Sequence, residues 1–159
     1  EELVSLGYTC YLCQMPGNLA IFDHDRAADI IQMEEDITTW YLAGHSLGGA
    51  MESSYAKNNP NTLEGLIFLA AYAAYDLSKE NLDILSIAGS NDQVLNWETY
   101  EENKAFAPAS CKYLLLEGAN HGGFGDYGEQ DGDGEATITK EEQWKLTAKE
   151  IDLFIKDRK

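Results

Sequence analysis

Ser46 stands in "AGHSLGGA", residues 43–50, between Gly44 and Gly48 and directly after an apolar run. A Gly-x-Ser-x-Gly pattern with a strand before it and a helix after it turns the backbone sharply and pushes one hydroxyl into the open. Small residues at 44 and 48 permit the turn. The N–H of Leu47, at the head of the following helix, then points to where an oxyanion would form. A serine hydroxyl is unreactive without a base, and the base needs an orienting acid. Asp92 follows "LSIAGSN" and His121 follows "YLLLEGAN", so each falls just past an apolar run that reads as a strand. Nucleophile, base and acid at three strand ends are the parts of acyl transfer through a covalent intermediate.

Other polar residues suit this chemistry less well. His45 leaves the turn in another direction and reads as a structural residue at the pocket wall. His24, between Asp23 and Asp25, reads as a solvated helix cap. Asp126 is an alternative acid, although its place after His121 suits loop packing. Glu129, Asp131, Asp133 and Gly134 fall at positions 1, 3, 5 and 6 of a calcium-loop pattern, but position 12 is Lys140 and no helix precedes the loop. No Cys/His cluster has zinc spacing, so no metal or other cofactor is expected. The loop reads as a polar frame at the pocket mouth.

The elements that must position these groups alternate along the chain. Strands are expected at 8–14, 39–44, 65–71, 82–89 and 112–118, mostly continuously apolar, as in parallel strands buried on both faces. Helical spacing appears in "HDRAADIIQMEED", in "LGGAMESSYAKNN" ending before Pro60, and in "NWETYEENKAF" behind an Asn96 cap. In the last helix Thr139 and Glu142 form a capping box ahead of a stripe of Trp144, Ala148, Ile151, Phe154 and Ile155. The pattern predicts an α/β fold: a doubly wound, mostly parallel sheet of about five strands with helices on both faces, in a single domain over 1–159.

The formal charge of −17, from 28 acidic and 11 basic residues, disfavours nucleic acid, anionic membranes and highly anionic substrates. No apolar run has the length of a membrane span, and "EELVSLGYTC" lacks the features of a signal peptide. Three apart on a strand, Cys10 and Cys13 face opposite sides and read as buried free thiols, which favours a reducing, cytoplasmic setting.

The chain order Ser46, Asp92, His121 is that of the α/β hydrolases. The chain resembles the C-terminal two-thirds of such an enzyme, in a bacterial esterase-like branch related to dienelactone hydrolases. The resemblance is carried by "MPGNLAIF" (15–22), "AGHSLGGA" (43–50), "IAGSNDQV" (87–94) and "GANHGGFGDYGEQDGDGEATIT" (118–139). It implies a cofactor-free hydrolase of carboxylic esters, with Ser46 as nucleophile, His121 as base and then acid, and Asp92 as its orienting carboxylate. The default substrate is a small-molecule ester with a small or medium, uncharged acyl group. Amides, thioesters and lactones remain alternatives, as does a non-catalytic fragment.

A full member of the family has three further strands, and a loop after the third supplies a second oxyanion N–H. Here "EELVSLGYTC" resembles the end of the helix after that loop, so Leu47 is the one donor assigned. In that fold the strand at 8–14 does not neighbour the one at 39–44. It is expected either to slide across and pair there, bringing Gly17 and Asn18 toward Ser46, or to leave an exposed edge open to homo-oligomer formation. Gly17, Asn18, His45 and Phe124 are the expected pocket residues.

Overall fold

The computed structural model describes residues 1–23 and 25–157. Four apolar runs form strands: β1 Tyr41–His45, β2 Gly65–Leu69, β3 Asp83–Gly89 and β4 Lys112–Leu116. They lie in sequence order, β1-β2-β3-β4, and every neighbouring pair is parallel. Parallel neighbours need crossovers, and helices supply two of the three. Helix α3, Leu47–Asn58, joins β1 to β2, and α4, Trp97–Glu102, lies between β3 and β4. The remaining helices are α1 Glu2–Ser5, α2 Arg26–Met33 and α5 Lys140–Lys156.

Alternation of side chains divides the core between the two sheet faces. Leu66, Phe68 and Ile84 pack with Tyr55 and Ala56 of α3 and with Ala27 of α2. Ile67, Leu85, Ile87 and Leu116 pack with Ile151 and Phe154 of α5, and Leu3 of α1 joins them. Burial on both faces explains the unbroken apolar runs of the central strands β2 and β3, whereas the edge strands β1 and β4 are only partly covered and Leu115 of β4 is exposed. The caps are as the sequence predicts. Asn96 Oδ1 accepts from Thr99 N at 3.1 Å. Thr139 Oγ1 accepts from Glu142 N at 3.2 Å, and Glu142 Oε2 accepts from Thr139 N at 2.9 Å.

Residues 8–14 are not a fifth strand. They run without regular structure, and among the described residues β1 pairs with β2 alone. A strand exists only where a neighbour takes its N–H and C=O groups. Side chains anchor this stretch instead. Tyr8 Oη donates to Asp152 Oδ1 of α5 at 2.8 Å, Tyr11 packs on Trp40 with ring centroids 5.6 Å apart, and Leu12 is 99% exposed. With no ladder to hold it, Cys10 is exposed and Cys13 half-buried, not buried as expected, and both are free thiols. His24 lies outside the described residues. Among those described, no helix is long and apolar enough to cross a membrane.

Candidate active site

Ser46 joins β1 to α3 at φ 53° and ψ −121°, a conformation that a residue with a side chain adopts at a cost. Hydrogen bonds on both sides hold it there. Its N–H donates to the Leu69 carbonyl at 3.0 Å, and its carbonyl accepts from Ala50 N at 3.3 Å. Sterics complete the turn. A Cβ at Gly44 would lie 2.5 Å from both Gly48 C and Gly49 N, and one at Gly49 would collide with Ala71 Cβ and lie 2.9 Å from the Gly44 carbonyl. At Gly48 a Cβ would meet open space, so Gly49, not Gly48, is the second glycine that the turn requires. At the end of the adjacent strand Ala70 is also strained, at φ 48°, with its N–H on the Ile87 carbonyl at 2.7 Å.

The loops after β3 and β4 bring Asp92 and His121 together. His121 Nδ1 and Asp92 Oδ2 are 2.8 Å apart, and both residues are buried. Asp92 Oδ1 accepts from the N–H groups of Val94, at 2.9 Å, and Leu95, at 2.8 Å. With every nearby donor aimed at it, the carboxylate acts as acceptor, which assigns the proton to His121 Nδ1 and leaves Nε2 available. Asp126, the alternative acid, is exposed, and the carboxylate on His121 is that of Asp92.

Ser46 and His121 open onto one cavity of about 290 Å³, also lined by Leu47, Ala50, Ala70, Ala71, Tyr72, Val94, Leu95 and Asn96. The expected pocket residues lie elsewhere. His45 points away from the cavity and packs between His121, at a centroid distance of 4.7 Å, Phe124, at 6.1 Å, and Tyr127, at 5.7 Å. Burial, with His121 close by, pushes the His45 imidazole down to about 4, so this ring is neutral at pH 7. Gly17 and Asn18 belong to the turn Pro16–Asn18, and Gly17 sits against the Phe22 ring. Because the 8–14 ladder never forms, nothing carries that turn into the cavity.

Sequence reasoning missed the polar support behind His121. Gln143, on the buried face of α5, clamps the preceding residue: its Nε2 donates to the Asn120 carbonyl at 2.9 Å, and its Oε1 accepts from Asn120 N at 3.3 Å. A signal was present, since Gln143 and Thr147 fall at helical spacing with Ile151 and Phe154. Ala70, Tyr72 and Asn96 carried no comparable mark.

Solved structures share this architecture. An alpha/beta hydrolase enzyme, MGS-MChE2, from the metagenome of sediments of the Mar Chica lagoon superposes with a TM-score of 0.61 and 17% identity, over 85% of this chain and 68% of that one. A "predicted CIB-like hydrolase" from Thermoplasma acidophilum gives 0.57 and 20% identity, over 81% and 59%. Est1E from Butyrivibrio proteoclasticus gives 0.57 and 14%, over 82% and 67%. The chain thus spans less than two-thirds of the Thermoplasma protein's length. No curated protein matches it. The sharp turn after β1 and the loops beyond β3 and β4 lie within residues 1–145, which match the model of the alpha/beta hydrolase family, and the chain belongs to that family.

Proposed function

We propose that the chain is a serine hydrolase of carboxylic esters, with Ser46 as nucleophile, His121 as base and Asp92 as the acid that orients it. The observation that carries this reading is the 2.8 Å contact of His121 Nδ1 with Asp92, on a cavity that His121 shares with a serine at φ 53°. Ser46 Oγ attacks the acyl carbon while His121 Nε2 takes its proton. The imidazolium is stabilised by the buried Asp92 carboxylate. Leu47 N–H, unused by the helix as its first orphan donor, faces the developing oxyanion at the positive end of α3. His121 then protonates the departing alcohol. It next deprotonates a water that attacks the acyl-enzyme, releasing the acid and restoring Ser46.

The cavity's mostly apolar lining, with Ala50, Ala70 and Ala71 beside Leu47, Val94 and Leu95, suits a small, uncharged acyl group. Leu47 is the single donor assigned to the oxyanion. A site short of one such donor turns over about 10²–10³-fold more slowly.

A fluorophosphonate tests the reading, with the adduct mapped by mass spectrometry. Wild type is expected to be labelled at Ser46 and Ser46→Ala to stay unlabelled. Labelling at another serine, or none on the folded protein, defeats the assignment. Hydrolysis of p-nitrophenyl acetate by wild type alone would extend the reading from reactive serine to ester turnover.

A further inference from the structure

The Asp92–His121 contact joins two loops that leave the sheet from different strands. Their bases meet directly, where Asn91 N–H donates to the Ala119 carbonyl at 2.9 Å. Beyond that point, both are gripped by the same three residues, Asp133-Gly134-Glu135. Gly122, the residue after His121, donates its N–H to Asp133 Oδ2 at 2.8 Å. Gln93, the residue after Asp92, donates its N–H to Asp133 Oδ1 at 3.3 Å. The residues before them reach the same segment through side chains: Asn120 Nδ2 donates to the Gly134 carbonyl at 2.8 Å and Asn91 Nδ2 to the Glu135 carbonyl at 2.7 Å. Both neighbours of each catalytic candidate are therefore tied to one short stretch. Gly134 is what allows the approach, because a Cβ there would run into the Asn91 carbonyl.

We propose that Asp133 is a positioning residue, a two-oxygen clasp that sets the relative placement of Asp92 and His121. This rests on the reading of that pair as acid and base. The chemistry demands a carboxylate. Both oxygens accept N–H donors, Oδ1 from Gly134 N at 2.8 Å as well as from Gln93. An asparagine offers one acceptor and would turn an NH₂ donor against the other loop's N–H. A glutamate would hold the loops farther apart. The clasp also gives Asp133 a purpose other than cation binding, since its oxygens are already occupied by backbone donors.

The test compares fluorophosphonate labelling rates at Ser46, per folded molecule, in wild type, Asp133→Asn and Thr139→Ala. Thr139 caps α5 away from the reacting groups and serves as a control for general destabilisation. A displacement of the order of 1 Å costs about 10²-fold, so Asp133→Asn is expected to label about 10–100-fold more slowly, with Thr139→Ala near the wild-type rate. Equal labelling of Asp133→Asn and wild type overturns the clasp and leaves the hydrolase reading standing. An unlabelled wild type overturns the hydrolase reading instead.

In that event, or if Asp133→Asn does not fold, amide NMR of wild type decides the clasp. The amides of Gln93, Gly122 and Gly134, each bonded to Asp133, are expected to be protected from hydrogen exchange. Exchange at the rate of an open loop at Gln93 or Gly122 overturns it.

Discussion

Glu52 offers the sharpest measurement of what this fold tolerates. It lies one turn beyond Gly49 on the buried side of α3, 4% exposed, and neither carboxyl oxygen has a hydrogen-bond partner among the described residues. Burial alone pushes the pKa of its carboxyl well above the usual carboxylate range. A buried acceptor without a partner costs about 1–3 kcal/mol. The folded state also keeps a proton that the unfolded chain sheds above a pH of about 4.3. Stability therefore falls as pH rises past that point, by about 1.4 kcal/mol per pH unit until the folded carboxyl ionises.

Glu52→Met removes both penalties with a flexible side chain of similar length. The variant is expected to gain about 1–3 kcal/mol near pH 4 and more near pH 7, or roughly 2–4 °C in Tm for each kcal/mol. Glu52→Gln keeps the unpaired polar group and loses only the titration. Its gain should be absent near pH 4 and grow toward neutrality. Urea unfolding of the three proteins at several fixed pH values measures this. A Glu52→Met protein no more stable than wild type near pH 7, or a gain that does not change with pH, would refute the reasoning.

The turn at Ser46 and its surroundings give further tests. Asp92→Asn should keep the fold and lower ester turnover about 10⁴-fold, read as kcat, because His121 loses its orienting acceptor. Gly49→Ala should cost about 1–3 kcal/mol from overpacking against Ala71 and Gly44, whereas Gly48→Ala, facing open space, should hold or raise the Tm. His45 acts on stability in the sense opposite to Glu52. Its folded value of about 4 lies below the unfolded one, so stability is complete above a pH of about 6.5 and lost as pH falls toward 4. His45→Phe should flatten that limb of a Tm-versus-pH curve. Thr139→Ala should cost about 1 kcal/mol in urea unfolding through loss of the α5 cap.

What was legible in the sequence was whatever a local pattern carries. The apolar runs announce β1 to β4, with burial on both faces realised in β2 and β3 and not at the edges, the Thr139–Glu142 box marks a helix start, and the Gly-x-Ser-x-Gly turn marks Ser46. Asp92 and His121 could be singled out because each follows a strand end, and the structure brings the two side chains together. The stretch 8–14 failed for the opposite reason. "YTCYLCQ" has strand-like composition, but a strand needs a neighbour, and none stands beside it among the described residues. The pocket was misread along with it, since Gly17 and Asn18 depended on that pairing. The cavity is instead lined by residues just past β2 and in the loop after β3, such as Ala70 and Leu95, whose types give no hint of location.

The consecutive strand order also sets a schedule for assembly. Each of β2 to β4 pairs with the strand synthesised just before it, across crossovers of a dozen or more residues. The turn at Ser46 hydrogen-bonds to Leu69 at the end of β2 and packs Gly49 against Ala71 just beyond it. These partners of the turn all precede His121 and Asp133 in the order of synthesis. On the serine-hydrolase proposal, the base that would activate Ser46 and the clasp behind it are thus the last parts of the site to be made, after every strand of the sheet.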